Sequence, residues 1–459
     1  MEEDTSMKMK AKNVEGHIEP NYKKNVKYYN TSKLPMKQRF IFTWLIWLLS
    51  KVSMGGVKYK VEKINMEGVK PPYILLSNHM YFVDFKLNAF ATYPYPVNNV
   101  ATVDGYYRRP WLMELIGCIC KRKFTNDLML IKSIQHSLKK HKSILCMYPE
   151  ARYSPAGTTA ILPEALGKLI KLSKMPVVVT LHHGNYLRTP FWDKDSPRKV
   201  PLYTTMTHIL SAEDVQTKSV DEINEIVKNA LTYDEYAWQE EQEIRITEDF
   251  RARGLHKILY KCPACKAESN MASEGIKLWC KSCGRTWEMT ELGRLEVVEE
   301  GTATKSAEVE AEVLAQDGEA SQRYDFSRVP EWFEWERSEV RKEILAGTYH
   351  FEDEVDVFSL PHPAKFIDMG KAKLVHDYDG FKLEGIYNGE RYCIKRSAIG
   401  MNGLHVEYDY VYVRPEDCID ISTDKDSFYC YPKKNDVITK LSFATEELYR
   451  YEKEKLRES

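Results

Sequence analysis

Asn78-His79-Met80-Tyr81-Phe82-Val83-Asp84 joins the end of a short apolar run to the start of a helical pattern. A histidine at that junction stands at the carboxyl edge of a sheet, where α/β folds place their ligands. A carboxylate five residues on lies about one helical turn further along and can reach back to hold the imidazole Nδ1–H. Nε2 is then left as a base able to take a proton from a hydroxyl. Alone, such a pair is more often a surface or capping arrangement, so the surrounding segments decide. The loop Pro149-Glu150-Ala151-Arg152-Tyr153-Ser154-Pro155-Ala156-Gly157 follows the apolar run Ile144–Tyr148 and combines opposite charges with turn residues. Upstream, Gly117-Cys118-Ile119-Cys120-Lys121-Arg122-Lys123 is strand-like and ends in three bases. Downstream, Met175-Pro176-Val177-Val178-Val179 opens a strand with proline at its start, where the missing N–H costs nothing.

The elements that must position these residues alternate between two periods. Tyr73–Asn78, Ile144–Tyr148 and Val177–Leu181 read as buried strands. Asp84–Ala91, Trp111–Ile116, Asp127–Lys140 and Pro163–Leu172 have helical period. That alternation predicts an α/β layer with a largely parallel sheet. Asp221–Ile246 reads as one long polar helix leaving it. His182 and His183 follow the third strand and read as strand-end polar residues, with lining of the same cleft as the alternative.

In this order and with these gaps, the segments resemble the glycerolipid acyltransferases (glycerol-3-phosphate and lysophosphatidic acid acyltransferases) over about residues 40–215. The family pattern is an Asn-His, four residues, Asp block; a Gly-to-Arg block; a Pro-Glu-Gly-Thr-Arg-Ser block; and a Val-Pro-Val-type strand. The resemblance implies an α/β acyltransferase domain with His79 as general base on an acceptor hydroxyl and Asp84 as its orienting partner. The hydroxyl would attack an acyl thioester directly, with acyl-CoA or acyl carrier protein as donor and no covalent acyl-enzyme. It further implies substrate binding by Glu150, Arg152, Ser154, Lys123 and Arg122, the bases matching an acceptor phosphate. The expected product is phosphatidic acid from lysophosphatidic acid, a step of phospholipid biosynthesis. Two departures bear on the headgroup. Ala151-Arg152-Tyr153-Ser154 replaces Gly-Thr-Arg-Ser, so arginine is shifted by one and tyrosine holds its place. Spacing from Gly117 puts Lys123, not Arg122, at the second block's arginine.

Cys262-Pro-Ala-Cys265 and Cys280-Lys-Ser-Cys283, fourteen residues apart, have the spacing of a closed tetrahedral thiolate site. Tetrahedral sulfur selects zinc first and iron second, and with no ligand position open the Zn2+ is structural. The segment resembles zinc ribbons. Lys257, Lys261, Lys266, Lys277, Lys281 and Arg285 cluster there, so nucleic-acid binding is a minor alternative. The other six cysteines are scattered and read as small buried hydrophobes.

Whole-chain figures set the outer limits. The 459 residues carry Lys+Arg 66 against Asp+Glu 67, a net charge of -1, with 29% charged and 43% hydrophobic residues. Collagen, coiled coil, wholesale disorder and polytopic membrane proteins are excluded. The acidic start MEEDTSMKMK lacks the apolar core of a secretion signal, and scattered cysteines suit a reducing compartment. Phe40–Leu49 is apolar apart from Thr43 and lies in a basic field, so it reads as an interfacial helix on an anionic leaflet. A buried core helix is the alternative. The expectation is therefore a cytoplasmic protein, peripheral on the inner membrane face.

The expected division is a basic segment (1–39), the acyltransferase domain with its interfacial helix (40–250), a zinc ribbon (255–298), an acidic linker (299–327) and a β-rich C-terminal domain (328–459). The last resembles pleckstrin-homology-like barrels in architecture, with a protein partner unknown. The competing function is a catalytically weak or inactive adaptor that keeps the acyltransferase fold and binds partners through ribbon and C-terminal domain.

Overall fold

A computed structural model describes residues 16–22, 26–125, 128–302 and 324–458. The start of the expected basic segment and residues 303–323 of the expected acidic linker lie outside them. The chain divides into two compact units, one of Asn30–Ser338 and one combining the residues up to Tyr29 with Glu339–Ser459.

The first unit is built on a seven-stranded sheet: β1 (Tyr59–Ile64), β2 (Ile74–Ser77), β3 (Val97–Thr102), β4 (Ile119–Lys121), β5 (Ile144–Met147), β6 (Val177–His183) and β7 (Leu202–Leu210). Its order is β1-β7-β6-β2-β5-β3-β4. All neighbours are parallel except β6 and β7. β2 and β5 are short and lie inside the sheet, and Ile74, Leu75, Leu76, Leu145 and Cys146 have no exposure at all. Burial on both faces is why these strands read as continuous apolar runs.

Helices α1 (Phe40–Ser53), α2 (Val83–Thr92), α3 (Pro110–Leu115), α4 (Leu128–Gln135), α5 (Ala165–Ser173), α6 (Asn185–Arg188), α7 (Ala212–Thr217), α8 (Val220–Ala230) and α9 (Glu235–Glu241) connect or flank the strands. One face of the sheet is sealed by Ile134, Leu138, Leu166, Ile170, Ile223 and Val227. The long helix expected over Asp221–Ile246 is two helices. Ser219 starts α8 with a reciprocal capping box, and the Asp234 side chain caps α9 by accepting from the Ala237 N–H. An extended residue with a capping carboxylate begins a helix and cannot sit inside one.

α1 presents its apolar side outward. Thr43 and Ser50 are its buried residues, while Phe40, Ile41, Leu49 and Val52 are at least half exposed. No helix among the described residues is long and apolar enough to cross a membrane.

The ribbon strands β8 (Met271–Glu274), β9 (Lys277–Cys280), β10 (Thr286–Met289) and β11 (Leu295–Glu299) form a separate antiparallel sheet in the same unit. The start of α10 (Val329–Leu345) packs on it, with Trp332 edge-on to Trp287 and donating Nε1–H to the Lys261 carbonyl at 3.0 Å.

The second unit is a seven-stranded antiparallel sheet followed by a helix. Its strands are β12 (Phe351–Ser359), β13 (Ile367–Asp377), β14 (Gly380–Tyr387), β15 (Glu390–Arg396), β16 (His405–Glu407), β17 (Cys418–Ser422) and β18 (Ser427–Pro432), with α11 (Ile438–Glu458) closing the chain. The order β15-β14-β13-β12-β18-β17-β16 has two ends, and no described ladder joins them into a barrel. Ile18 bridges to Cys393 on the edge strand, and the buried Tyr22 hydroxyl bonds Ser359 and Asp426. Thus the described residues up to Tyr29 belong with this sheet, where the sequence suggested a separate basic segment through residue 39.

Candidate active site

β2 ends at Ser77, and the chain leaves it through Asn78 and His79 into α2. Asn78 prolongs the sheet by side chain: its Nδ2 donates to the His182 carbonyl and its Oδ1 accepts the His182 N–H, both at 2.9 Å. The end of β2 is thereby tied to the end of β6. His79 follows directly, its backbone held on both sides by the Pro149–Ser154 loop. Its N–H donates to Glu150 Oε1 at 3.2 Å, and its carbonyl accepts the Ser154 N–H at 2.9 Å.

The His79 Nδ1–H donates to Asp84 Oδ2 at 3.0 Å. The same oxygen accepts the N–H groups of Met80 at 2.6 Å and Tyr81 at 3.1 Å, and Oδ1 accepts from the Asn185 amide. Four N–H donors thus converge on one fully buried side chain at the start of α2, an arrangement that suits an acceptor-only carboxylate. Such a partner fixes the imidazole with its proton on Nδ1, so Nε2 carries the lone pair. Nε2 has no hydrogen-bond partner among the described residues, and the His79 side chain keeps 22% of its exposure. The ring is stacked on Tyr148, centroids 3.9 Å apart, and tilted against Tyr153 at 4.4 Å.

The other residues that the resemblance places on substrate are largely engaged with the protein itself. Glu150 is buried. Besides His79 it accepts from the Ala160 N–H at 3.0 Å and from the Tyr233 hydroxyl at 3.1 and 3.2 Å. Burial pushes its carboxyl up to about 7, against the pull of these donors and of the Arg152 charge. Ser154 is buried and donates to the Thr158 carbonyl at 2.8 Å. Lys123 pairs with Asp104 at 2.8 Å, both nearly enclosed. Arg122 and Arg152 are 2% and 5% exposed. Ala151 holds the position of the family's glycine and adopts a left-handed φ of 55°, so the turn persists at a cost of roughly 1 kcal/mol. Past that turn, the one-residue shift sends Arg152 inward and lays Tyr153 on His79. Around His79 the neighbours are therefore aromatic: Tyr81, Tyr148 and Tyr153, with Phe191 packed on Tyr153 at 5.1 Å.

Of the two strand-end histidines, His182 is fully buried with Nδ1 2.9 Å from Thr204 Oγ1, and burial lowers its pKa to about 4. It is held neutral. His183 differs. Its Nδ1 lies 2.8 Å from Glu235 Oε1, and its ring stacks on Trp238. Glu235, buried at the start of α9, also accepts the Gly184 N–H at 2.7 Å. Neither the His183–Glu235 pair nor the packing of Tyr148 and Tyr153 on His79 has a signal in local spacing. Fifty-two residues separate the first pair.

In the ribbon, Cys262, Cys265, Cys280 and Cys283 converge, with all four sulfurs within 4.8 Å of one another. Cys262 Sγ lies 3.8 Å from Cys283 Sγ, and Cys265 Sγ 3.6 Å from Cys280 Sγ. Metal–sulfur bonds of about 2.3 Å in a tetrahedron set sulfurs about 3.8 Å apart, so the four cysteines fit such an ion. Both knuckles close alike: the Lys266 N–H donates to the Cys262 carbonyl and the Gly284 N–H to the Cys280 carbonyl, each at 2.9 Å. Several ribbon bases are already paired: Lys261 with Glu268, Lys277 with Glu288 and Arg285 with Glu300. The remaining six cysteines are buried thiols outside any disulfide.

No protein-family model matches the chain, and no curated protein does. Among solved structures, the chain is similar to the crystal structure of the 1-acyl-sn-glycerophosphate (LPA) acyltransferase PlsC from Thermotoga maritima. Identity is 14%, the match covers 45% of this chain and 81% of that one, and the TM-score is 0.34.

Proposed function

We propose that the Asn30–Ser338 unit is an O-acyltransferase, moving a fatty acyl group from an acyl thioester to the hydroxyl of a lysolipid. The observation that carries this reading is the His79–Asp84 pair at the carboxyl edge of β2, with Nδ1–H on a buried carboxylate and Nε2 left as base. In this reading Nε2 takes the hydroxyl proton as the oxygen bonds the acyl carbon, and the carbon–sulfur bond then breaks. Asp84 stabilises the imidazolium that forms. Acyl-CoA or acyl carrier protein is the donor and lysophosphatidic acid the first acceptor to try. The outward apolar side of α1 supports work at a membrane surface, with the helix lying in the headgroup region. The four cysteines would hold a structural zinc ion that fixes the ribbon fold.

The test is to incubate the purified chain with acyl-CoA and lysophosphatidic acid in mixed vesicles and resolve the lipids. Appearance of the diacyl product supports the reading. The adaptor alternative draws on the burial of Arg122, Lys123 and Arg152 and on the two tyrosines packed against His79. It requires that no acyl thioester be consumed with any lysolipid.

A further inference from the structure

The carboxyl edge of the sheet carries two histidine–carboxylate pairs. β2 and β6 run parallel with Ser77 opposite Thr180, and the Asn78–His182 amide bonds carry that pairing past the strand ends. The register continued past Ser77 and Thr180 sets His182 level with His79, and His183 leaves the neighbouring strand one residue further along, the two strands lying about 5 Å apart. Each imidazole uses Nδ1 on a buried carboxylate, at 3.0 Å in one pair and 2.8 Å in the other. Each leaves Nε2 without a hydrogen-bond partner among the described residues, and each side chain keeps some exposure, 22% for His79 and 15% for His183.

A single turn ties the pairs together. The Gly184 N–H donates to Glu235, and the next residue, Asn185, donates its amide to Asp84. Gly184 sits at φ 81°, and a Cβ there would lie 2.2 Å from the Pro201 carbonyl oxygen, so the turn is fixed in its shape. The two carboxylates are near enough for the Asp84 charge to act on Glu235. Building a second buried carboxylate beside the first costs desolvation.

We infer that His183, oriented by Glu235, is a second acid–base residue of the proposed acyl-transfer site and protonates the departing thiolate while His79 deprotonates the acceptor. This rests on the acyltransferase reading. As the hydroxyl oxygen bonds the acyl carbon, its proton passes to His79 Nε2. The carbon–sulfur bond breaks with its electron pair on sulfur, and His183, which enters the step as the imidazolium paired with Glu235, passes its Nε2 proton to that sulfur and is left neutral. His79 then returns one proton to water and His183 recovers one. The net change is thioester plus alcohol to ester plus thiol. His183 is a catalytic residue in this scheme and Glu235 a positioning residue.

The experiment varies the leaving group. An alkyl thiolate, as in acyl-CoA, needs a proton to leave well, whereas an aryl thiolate leaves without one. With one acceptor, the full chain and its His183→Asn and His79→Asn variants are assayed for thiol release from an acyl-CoA and from the matching thiophenyl ester. His183→Asn should lose about 10²-fold or more on acyl-CoA and less than about threefold on the thiophenyl ester, which also shows that the variant is folded. His79→Asn should lose on both. An equal His183→Asn loss on both donors, or none on acyl-CoA, overturns the assignment while the parent reading stands. Unchanged rates in His79→Asn, or a wild-type chain that releases no thiol, overturn the parent reading and this assignment with it.

Discussion

Asp84 does more than orient one imidazole: its two oxygens take four N–H groups from His79, Met80, Tyr81 and Asn185. Replacing it with asparagine turns one acceptor into a donor that faces those N–H groups. Asp84→Asn should lower turnover by on the order of 10²–10⁴-fold and cost roughly 2 kcal/mol of stability, measured by kinetics and urea melts on the same preparation. Glu150 gives a prediction with a sign. Its carboxyl sits near 7 in the folded chain against 4.5 for an ordinary glutamate. Between those values the native state holds more protons than the unfolded state, so stability falls as pH rises. The loss across that window is on the order of 3 kcal/mol. Urea midpoints from about pH 4.5 to about pH 7.5 should show that decline in wild type and a flatter profile in Glu150→Gln; parallel profiles would contradict it. At this scale the sequence is legible where chemistry is local. The His79-to-Asp84 spacing is short enough for one turn to bring the two together. The surroundings of Arg152 and Lys123 are not legible in the sequence: both are buried, Arg152 with its charge acting on Glu150 and Lys123 paired with Asp104.

Elements were legible in proportion to how uniformly they are buried. β2, β5 and β6 each carry an apolar run, Ile74–Leu76, Ile144–Met147 and Val177–Val179, that stands out from the sequence. β1 is a charged edge strand, β3 buries two asparagines, and β7 alternates polar with apolar residues, so none of them does. Asn98 in β3 is satisfied by the carbonyls of Met36 and Gly117, partners that only the fold supplies. The long helix expected at Asp221–Ile246 failed because helical composition continues through a capping residue, Asp234, that ends one helix pattern and starts another. The ribbon offers the sharpest test among the elements. Isolated as the full chain, the protein should carry one zinc per molecule by elemental analysis. Cys280→Ser should lower that content and expose Trp287 and Trp332, seen as a red shift in fluorescence. Full zinc content in the variant would contradict the four-sulfur site.

Across the whole molecule, the α/β region, the cysteine cluster and the antiparallel C-terminal sheet follow the order expected from the sequence. The membership of the described residues up to Tyr29 in the C-terminal unit is not foreseeable from the sequence, since it rests on contacts far apart in the chain, among them the bridge at Ile18 and the buried Tyr22. α1 predicts behaviour of the intact chain. Cosedimentation with anionic vesicles should be strong, weakened by salt, and reduced about tenfold or more when Phe40, Ile41, Leu49 and Val52 are replaced by serine, since each buried apolar side chain contributes roughly 1.5–3 kcal/mol. Retained binding in that variant would place membrane contact elsewhere. The central claim concerns turnover by one base. Thiol release from acyl-CoA with lysophosphatidic acid, followed side by side for the wild-type chain and His79→Ala, measures it directly. The account predicts a fall of about 10²-fold or more in the variant; equal rates in the two proteins would contradict it.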